Sequence, residues 1–219
     1  MKQKTIYLTI DDCPSKDFRK KIDFLIANKI PAILFCIGKE IEKYPKEIIY
    51  AIKKGFIIGN HSYSHLDFSV ISLKESERQI KLTDKIVDNL YKKAKVKRKI
   101  KLFRFPYGDK GPIMKNRNLQ KILKQLGYKQ PRFKDINYKW YNLRLAKGYD
   151  MLWTYDISEY KFKRLEEVFE KILHMQGRLS NLNSRDIVLI HDHAKTTKWF
   201  FKILNKLIEK NIKFILPEI

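Results

Sequence analysis

Short apolar runs alternate with amphipathic stretches along the whole chain, and that alternation fixes the class of fold. Ile6-Tyr-Leu-Thr-Ile10, Ala32-Ile-Leu-Phe-Cys-Ile37, Phe56-Ile-Ile58, Leu102-Phe103, Met151-Leu-Trp-Thr-Tyr155, Asp186-Ile-Val-Leu-Ile190 and Ile212 to Leu216 read as strands. Short runs of β-branched and aromatic residues bounded by turn signals suit buried strands of a parallel sheet. Between them, Phe18, Ile22, Leu25 and Ile26 repeat at helical spacing behind a Ser15 cap, and residues 45–53, 74–93, 113–126 and 164–175 follow the same pattern. Phe200, Ile203, Leu204, Leu207 and Ile208 mark the last helix. Strand and helix in turn, with short connections, predict a parallel α/β architecture, either a barrel or an open wound sheet. With 219 residues, no internal repeat and no linker, one domain over 1–219 is the expected organisation.

Composition excludes several classes. Apolar residues make up 44%, too many for a disordered chain. No apolar run approaches the roughly 18 residues that span a bilayer. Lys2 and Lys4 precede an apolar run that Asp11 and Asp12 cut short, which is not the pattern of a signal peptide. If Met1 is the true start, a cytoplasmic protein is expected, with peripheral contact to an anionic membrane surface open. The formal charge of +23 fits either an anionic partner or lysines written on every solvated face. The densest run, Lys92 to Lys101, follows a helical stretch and precedes a strand, as a solvated helix end and loop would. Charge alone does not support nucleic-acid binding. Cys13 and Cys36 form no Cys-x-x-Cys pair, and a chain of this length does not need a disulfide.

The polar residues at the strand ends carry the chemistry. Asp11 and Asp12 close the first strand, at the end where α/β folds collect their sites. Their side chains point in different directions, so one can hold a metal while the other works as a base; a solvated turn capping the next helix is the ordinary alternative. Four of the five histidines fall in two groups, His61 with His65 and His191 with His193. On a helical turn the first spacing puts both imidazoles on one face, ready to share a metal with a carboxylate, although two surface histidines would look the same. His193 reads as a structural or rim residue. Arg104-Phe-Pro-Tyr-Gly108 offers a guanidinium to hold a carboxylate and a turn whose backbone N–H can meet an oxyanion, or an ordinary loop. Asp156 and His191 end later strands, and a histidine held by a carboxylate makes a tuned general acid.

Taken together and in order, these residues resemble the polysaccharide deacetylases of carbohydrate esterase family four. Thr9-Ile-Asp-Asp-Cys-Pro14 is similar to the family's Thr-Phe-Asp-Asp-Gly-Pro, and Ala32 to Gly38 to its Ala-Thr-Phe-Phe-x-x-Gly strand. Gly59 to His65, Arg104 to Gly108, Trp153 with Asp156, and Leu189-Ile-His191 resemble its remaining motifs. The resemblance implies a distorted (β/α) barrel of seven to eight units and a metal-dependent deacetylase acting on an N-acetylated glycan or a lipid-linked sugar. O-acetyl ester cleavage by the same machinery and a non-catalytic glycan- or anion-binding module are its alternatives. It implies Asp12, His61 and His65 as ligands of a divalent metal, zinc first with cobalt or nickel possible, and Asp11 as the base, paired with Arg104. It further implies the Tyr107 N–H at the oxyanion, His191 oriented by Asp156 as the acid, and Trp153 with Leu189 lining the acetyl pocket.

The chain departs from the family in three places. Cys13 stands where the family has Gly, which is costly only if that position needs a positive φ, and its thiolate could become a fourth metal ligand. Glu159-Tyr160 replaces Asp-Trp. The stretch 130–148 is long and basic, and Arg132, Lys134, Tyr138, Trp140, Tyr141 and Arg144 either cover a sugar groove or pack as a surface excursion with core aromatics.

Overall fold

The computed structural model describes residues 3–145, 147–174 and 176–219, and all of their side chains except those of 144 and 145. Met1 and Met175, the end of one expected helix, lie outside the described residues, as does the Arg144 side chain.

Strand β1, Thr5–Cys13, is the axis of the molecule. All but Thr5 and Asp12 are buried, because it lies between β2 (Ala32–Cys36) and β5 (Asp186–His191), each parallel to it. Outside β2 runs β3 (Ile57–Asn60), and outside β5 the two-residue β4 (Tyr155–Asp156), while β6 (Lys213–Phe214) pairs with the start of β1. The described residues thus form a six-stranded, wholly parallel sheet that is not a continuously closed barrel. Single bonds carry the backbone round the gap: Asn60 bridges Phe103, Met151 N–H donates to Phe103 O (2.8 Å), and Thr154 N–H donates to Ile187 O (2.9 Å). Two expected strands, at Leu102-Phe103 and Met151–Tyr155, are therefore shorter in ladder pairing than their sequences suggest.

Helices α1 (Phe18–Ala27), α2 (Gly38–Lys43), α3 (Pro45–Lys53), α4 (Leu73–Ala94), α5 (Ile113–Gln125), α6 (Leu165–Leu173) and α7 (Thr197–Glu209) cover the sheet. Each buries one apolar stripe, as Phe200, Ile203, Leu204 and Leu207 do in α7. Ser72 caps α4 by accepting the Glu75 N–H, and Gly127, at φ 80°, takes the chain out of α5. The six-residue α2 was not anticipated, because Gly38 reads as the end of a strand and the helix is too short to show a periodicity.

No described residue of 130–148 lines the cleft described below. Tyr138 and Tyr141 are buried with Tyr7, Ile33, Phe35 and Ile187. The Tyr138 O–H donates to Asp186, the first residue of β5, which also pairs with the buried Lys4. Trp140 stacks on Tyr138, and Arg178 lies 4.3 Å above that ring. These aromatics close the N-terminal end of the sheet, away from the C-terminal strand ends.

Candidate active site

In a regular strand neighbouring side chains face opposite ways, so Asp11 and Asp12 should not share a site. The strand is not regular here. The β1–β2 register runs Ile10↔Leu34 and then Cys13↔Cys36, and Asp12 takes φ 62°. Three steps on β1 answer two on β2, which is a bulge, and both carboxylates turn into one cleft of about 990 Å³. The left-handed residue is Asp12, a type that tolerates it, and Cys13 does not share it. Cys in place of Gly therefore carries no backbone strain. Its buried Sγ faces the carbonyls of Ile10 and Asp11 at 3.5 and 3.8 Å. Burial pushes the thiol well above its ordinary value, against a thiolate ligand.

His61 and His65 converge, but not on a helical turn. Beyond β3 the chain is held by Asn60, whose Oδ1 accepts the Ser62 N–H (2.8 Å) while its amide donates to Tyr128 Oη and Ile80 O. Ser62 and His65 both take left-handed φ values, 64° and 56°, and Ser62 Oγ accepts the His65 N–H. His61 Nδ1 lies 2.9 Å from Arg104 O. A carbonyl only accepts, so Nδ1 carries the proton and Nε2 keeps its lone pair for a ligand. Asp12 Oδ1 is 3.1 Å from His65 Nε2 and 3.6 Å from His61 Nε2, and one donor atom from each residue lies within 4.8 Å of the others. Asp12 Oδ1 is buried and accepts no hydrogen bond. An orphaned carboxylate oxygen facing two imidazoles suits a divalent cation with open coordination positions. Burial acts to raise Asp12, but the hydrogen bond from His193 and the proximity of the His65 and His61 imidazoles outweigh it and hold the group well below the carboxylate range. Burial lowers His61, against the charges of Asp11 and Asp12.

Arg104, fully buried, holds Asp11. Its Nη1 donates to Asp11 Oδ1 (2.7 Å) and Thr9 Oγ1 (2.9 Å), Nε donates to Met151 O (3.0 Å), and the guanidinium lies 4.2 Å from the centre of the Phe35 ring. Tyr107 takes φ 59° in the turn that follows, and its ring packs edge-on against His65 at 4.7 Å. Trp153 and Leu189 line the same cleft.

His191 ends β5. Its carboxylate partner is Glu159, not Asp156. Glu159 Oε1 accepts the His191 N–H at 2.8 Å and lies 3.3 Å from Nδ1, out of line for a hydrogen bond. Asp156 Oδ1 accepts the Ser158 N–H instead. The reason is local: β4 is only two residues long, and Ser158, at φ 53°, folds the chain back so that the next residue reaches β5. Burial depresses the His191 pKa, but the adjacent Glu159 carboxylate and the charges of Asp11 and Asp12 outweigh it, lifting it to about 9. From sequence Glu159 has no place beside His191, and His193, whose Nε2 sits 2.7 Å from Asp12 Oδ2, reads only as a structural or rim residue. The signal for Glu159 was its place where the family has Asp.

This arrangement offers a carboxylate base, a cationic acid and a three-donor cation site within one cleft. The family model for polysaccharide deacetylase matches residues 1–131. A peptidoglycan-N-acetylglucosamine deacetylase of Bacillus cereus is 34% identical over 105 residues, which are 48% of this chain and 36% of that protein. A chitooligosaccharide deacetylase of Sinorhizobium fredii is 30% identical over 105 residues, 48% of this chain and 47% of that one. The chain thus spans less than half the length of these relatives. The solved structure of the peptidoglycan deacetylase PdaC from Bacillus subtilis superposes with a TM-score of 0.68 at 25% identity, covering 98% of this chain and 88% of that one. With the family matched over more than half its length and the whole chain following that fold, this chain belongs to the polysaccharide deacetylase family.

Proposed function

We propose that this chain is a divalent-metal-dependent hydrolase that removes N-acetyl groups from an amino-sugar glycan. The observation that carries the reading is the orphaned Asp12 Oδ1 facing His61 and His65, with Asp11 and His191 on the same cleft. A cation held by Asp12, His61 and His65, zinc being the usual occupant of such a set, would polarise the acetyl carbonyl and make water a stronger acid. The chain's own residues do the rest. Asp11, oriented by the Arg104 guanidinium, takes the proton of the attacking water. Tyr107 supplies a backbone N–H to the developing oxyanion. His191, cationic near neutral pH beside Glu159, gives its proton to the departing amine. The bond that breaks is the amide C–N, and the products are acetate and a free amino sugar. Trp153 and Leu189 narrow the pocket toward acetyl over longer acyl groups.

Substrates named for the relatives, peptidoglycan and chitooligosaccharides, are the first to test, with a lipid-linked N-acetyl sugar as the third. No helix among the described residues is long and apolar enough to cross a membrane. Acetate release is measured with metal-loaded protein, metal-stripped protein and Asp11→Asn. Release by the loaded wild type alone supports the reading. Release only from O-acetylated substrates makes the chain an esterase, and glycan binding without release from any substrate makes it a binding module.

A further inference from the structure

His193 lies outside the converging donor trio, yet it makes the shortest polar contact of Asp12. The two Asp12 oxygens are divided: Oδ1 faces His65 and His61 at 3.1 and 3.6 Å, and Oδ2 meets His193 Nε2 at 2.7 Å. A carboxylate can only accept, so Nε2 carries the proton and His193 donates. The imidazole is 37% exposed, and its ring leans on Tyr160 and His191 at centroid distances of 5.8 and 5.5 Å.

A separate set of buried groups fixes the backbone that carries it. Asp192, one residue before, is buried and accepts from Lys21 Nζ (2.5 Å), Ser15 N–H (2.7 Å) and Ser15 Oγ–H (2.7 Å). Lys21 reaches in from α1, is 2% exposed, and also donates to His193 O at 3.2 Å. The Thr196 N–H donates to the same carbonyl at 3.2 Å. Taking a lysine and an aspartate out of water is costly unless the geometry is well satisfied. Here the pair ties the loop after β5 to α1, and Ser15 ties it to the loop after β1.

We propose that His193 is a positioning residue for the cation site: it holds Asp12 Oδ2 so that Asp12 presents Oδ1 alone as a donor, with Lys21 and Asp192 fixing His193 in place. The proposal rests on the metal-binding reading above. Partners of ligating carboxylates typically contribute a factor of about 10 to 100 in metal affinity.

The test is the zinc dissociation constant, read by competition with a chromophoric chelator, together with the visible absorption of the cobalt-loaded protein. His193→Ala is expected to weaken zinc binding about 10- to 100-fold with an unchanged far-ultraviolet circular dichroism spectrum. His193→Gln keeps an N–H donor but is a poor zinc ligand, so it should recover most of the affinity and the wild-type cobalt spectrum. Wild-type affinity in His193→Ala would overturn the proposal alone. A His193→Gln variant as weak as His193→Ala, with an altered cobalt spectrum, would overturn it in favour of His193 as a direct ligand. No zinc bound by the wild type would remove the functional reading itself.

Discussion

Asp11 and His191 are register partners on the adjacent parallel strands β1 and β5. The residues proposed to take and give the proton therefore stand side by side at the same height of one sheet, tied by the ladder rather than by loops. The next ladder bond, from Asp192 N–H to Asp11 O at 2.8 Å, continues the pairing past the strand end. A pair held this way keeps its separation without contributions from mobile segments.

The partner of His191 can be identified by its pH signature. In Glu159→Gln the charge that raises His191 is gone while burial still lowers it. The alkaline limb of the rate profile should move down by about one unit or more. Asp156→Asn should leave that limb in place. Both profiles belong to the metal-loaded enzyme, where the cation's charge draws the limb below the metal-free value. A shift in Asp156→Asn and none in Glu159→Gln would reverse the assignment.

The same group makes stability depend on pH in the metal-stripped protein. The folded pKa of His191, about 9, lies above its ordinary 6.5. Its contribution is fully present below pH 6.5 and is lost as pH rises through 9. The amplitude is at most about 3 kcal/mol. Urea denaturation between pH 6 and 10 should show the decline, and His191→Gln should flatten it.

Arg104 and Asp11 form a buried pair, so removing one partner is worse than removing both. Arg104→Met leaves the Asp11 carboxylate buried without its counter-charge and should cost about 3–5 kcal/mol in urea denaturation. The double variant Arg104→Met, Asp11→Asn should regain part of that loss. Arg104→Lys should not substitute, since one ammonium cannot serve Asp11, Thr9 and Met151 together.

Cys13→Ala should keep zinc stoichiometry and affinity unchanged, because the thiol faces two carbonyls and its backbone φ is ordinary. The lost packing should cost on the order of 1–2 kcal/mol. A weaker zinc site in this variant would make Cys13 a ligand after all.

The strands that were legible in the sequence are those whose runs are uniformly apolar, such as Ile187 to Ile190, because burial on both faces leaves no other pattern. The ends were less legible. Met151 to Tyr155 reads as one strand, but only Tyr155 and Asp156 join the ladder. The His61–His65 spacing pointed to two imidazoles that do converge, but by another route: they meet through two left-handed residues beside the Asn60 side chain, not through helical periodicity. Glu159 was passed over for Asp156 because which of two nearby acids reaches a neighbouring strand depends on the turn at Ser158, and no residue type announces that turn. His193 was equally hidden, since its contact with Asp12 joins positions 181 residues apart.

The bulge at Asp12 makes the length of β1 as consequential as its side chains. Deleting one residue between Ile10 and Cys13 would restore even alternation with β2 and send neighbouring side chains to opposite faces again. Either aspartate could survive such a deletion in name, but the cleft would lose the pairing of one carboxylate with Arg104 and another with two histidines. Among relatives of this chain, a gap at that point would therefore mark a lost site more reliably than any single exchange, and an aligned Asp beside it would be no reassurance.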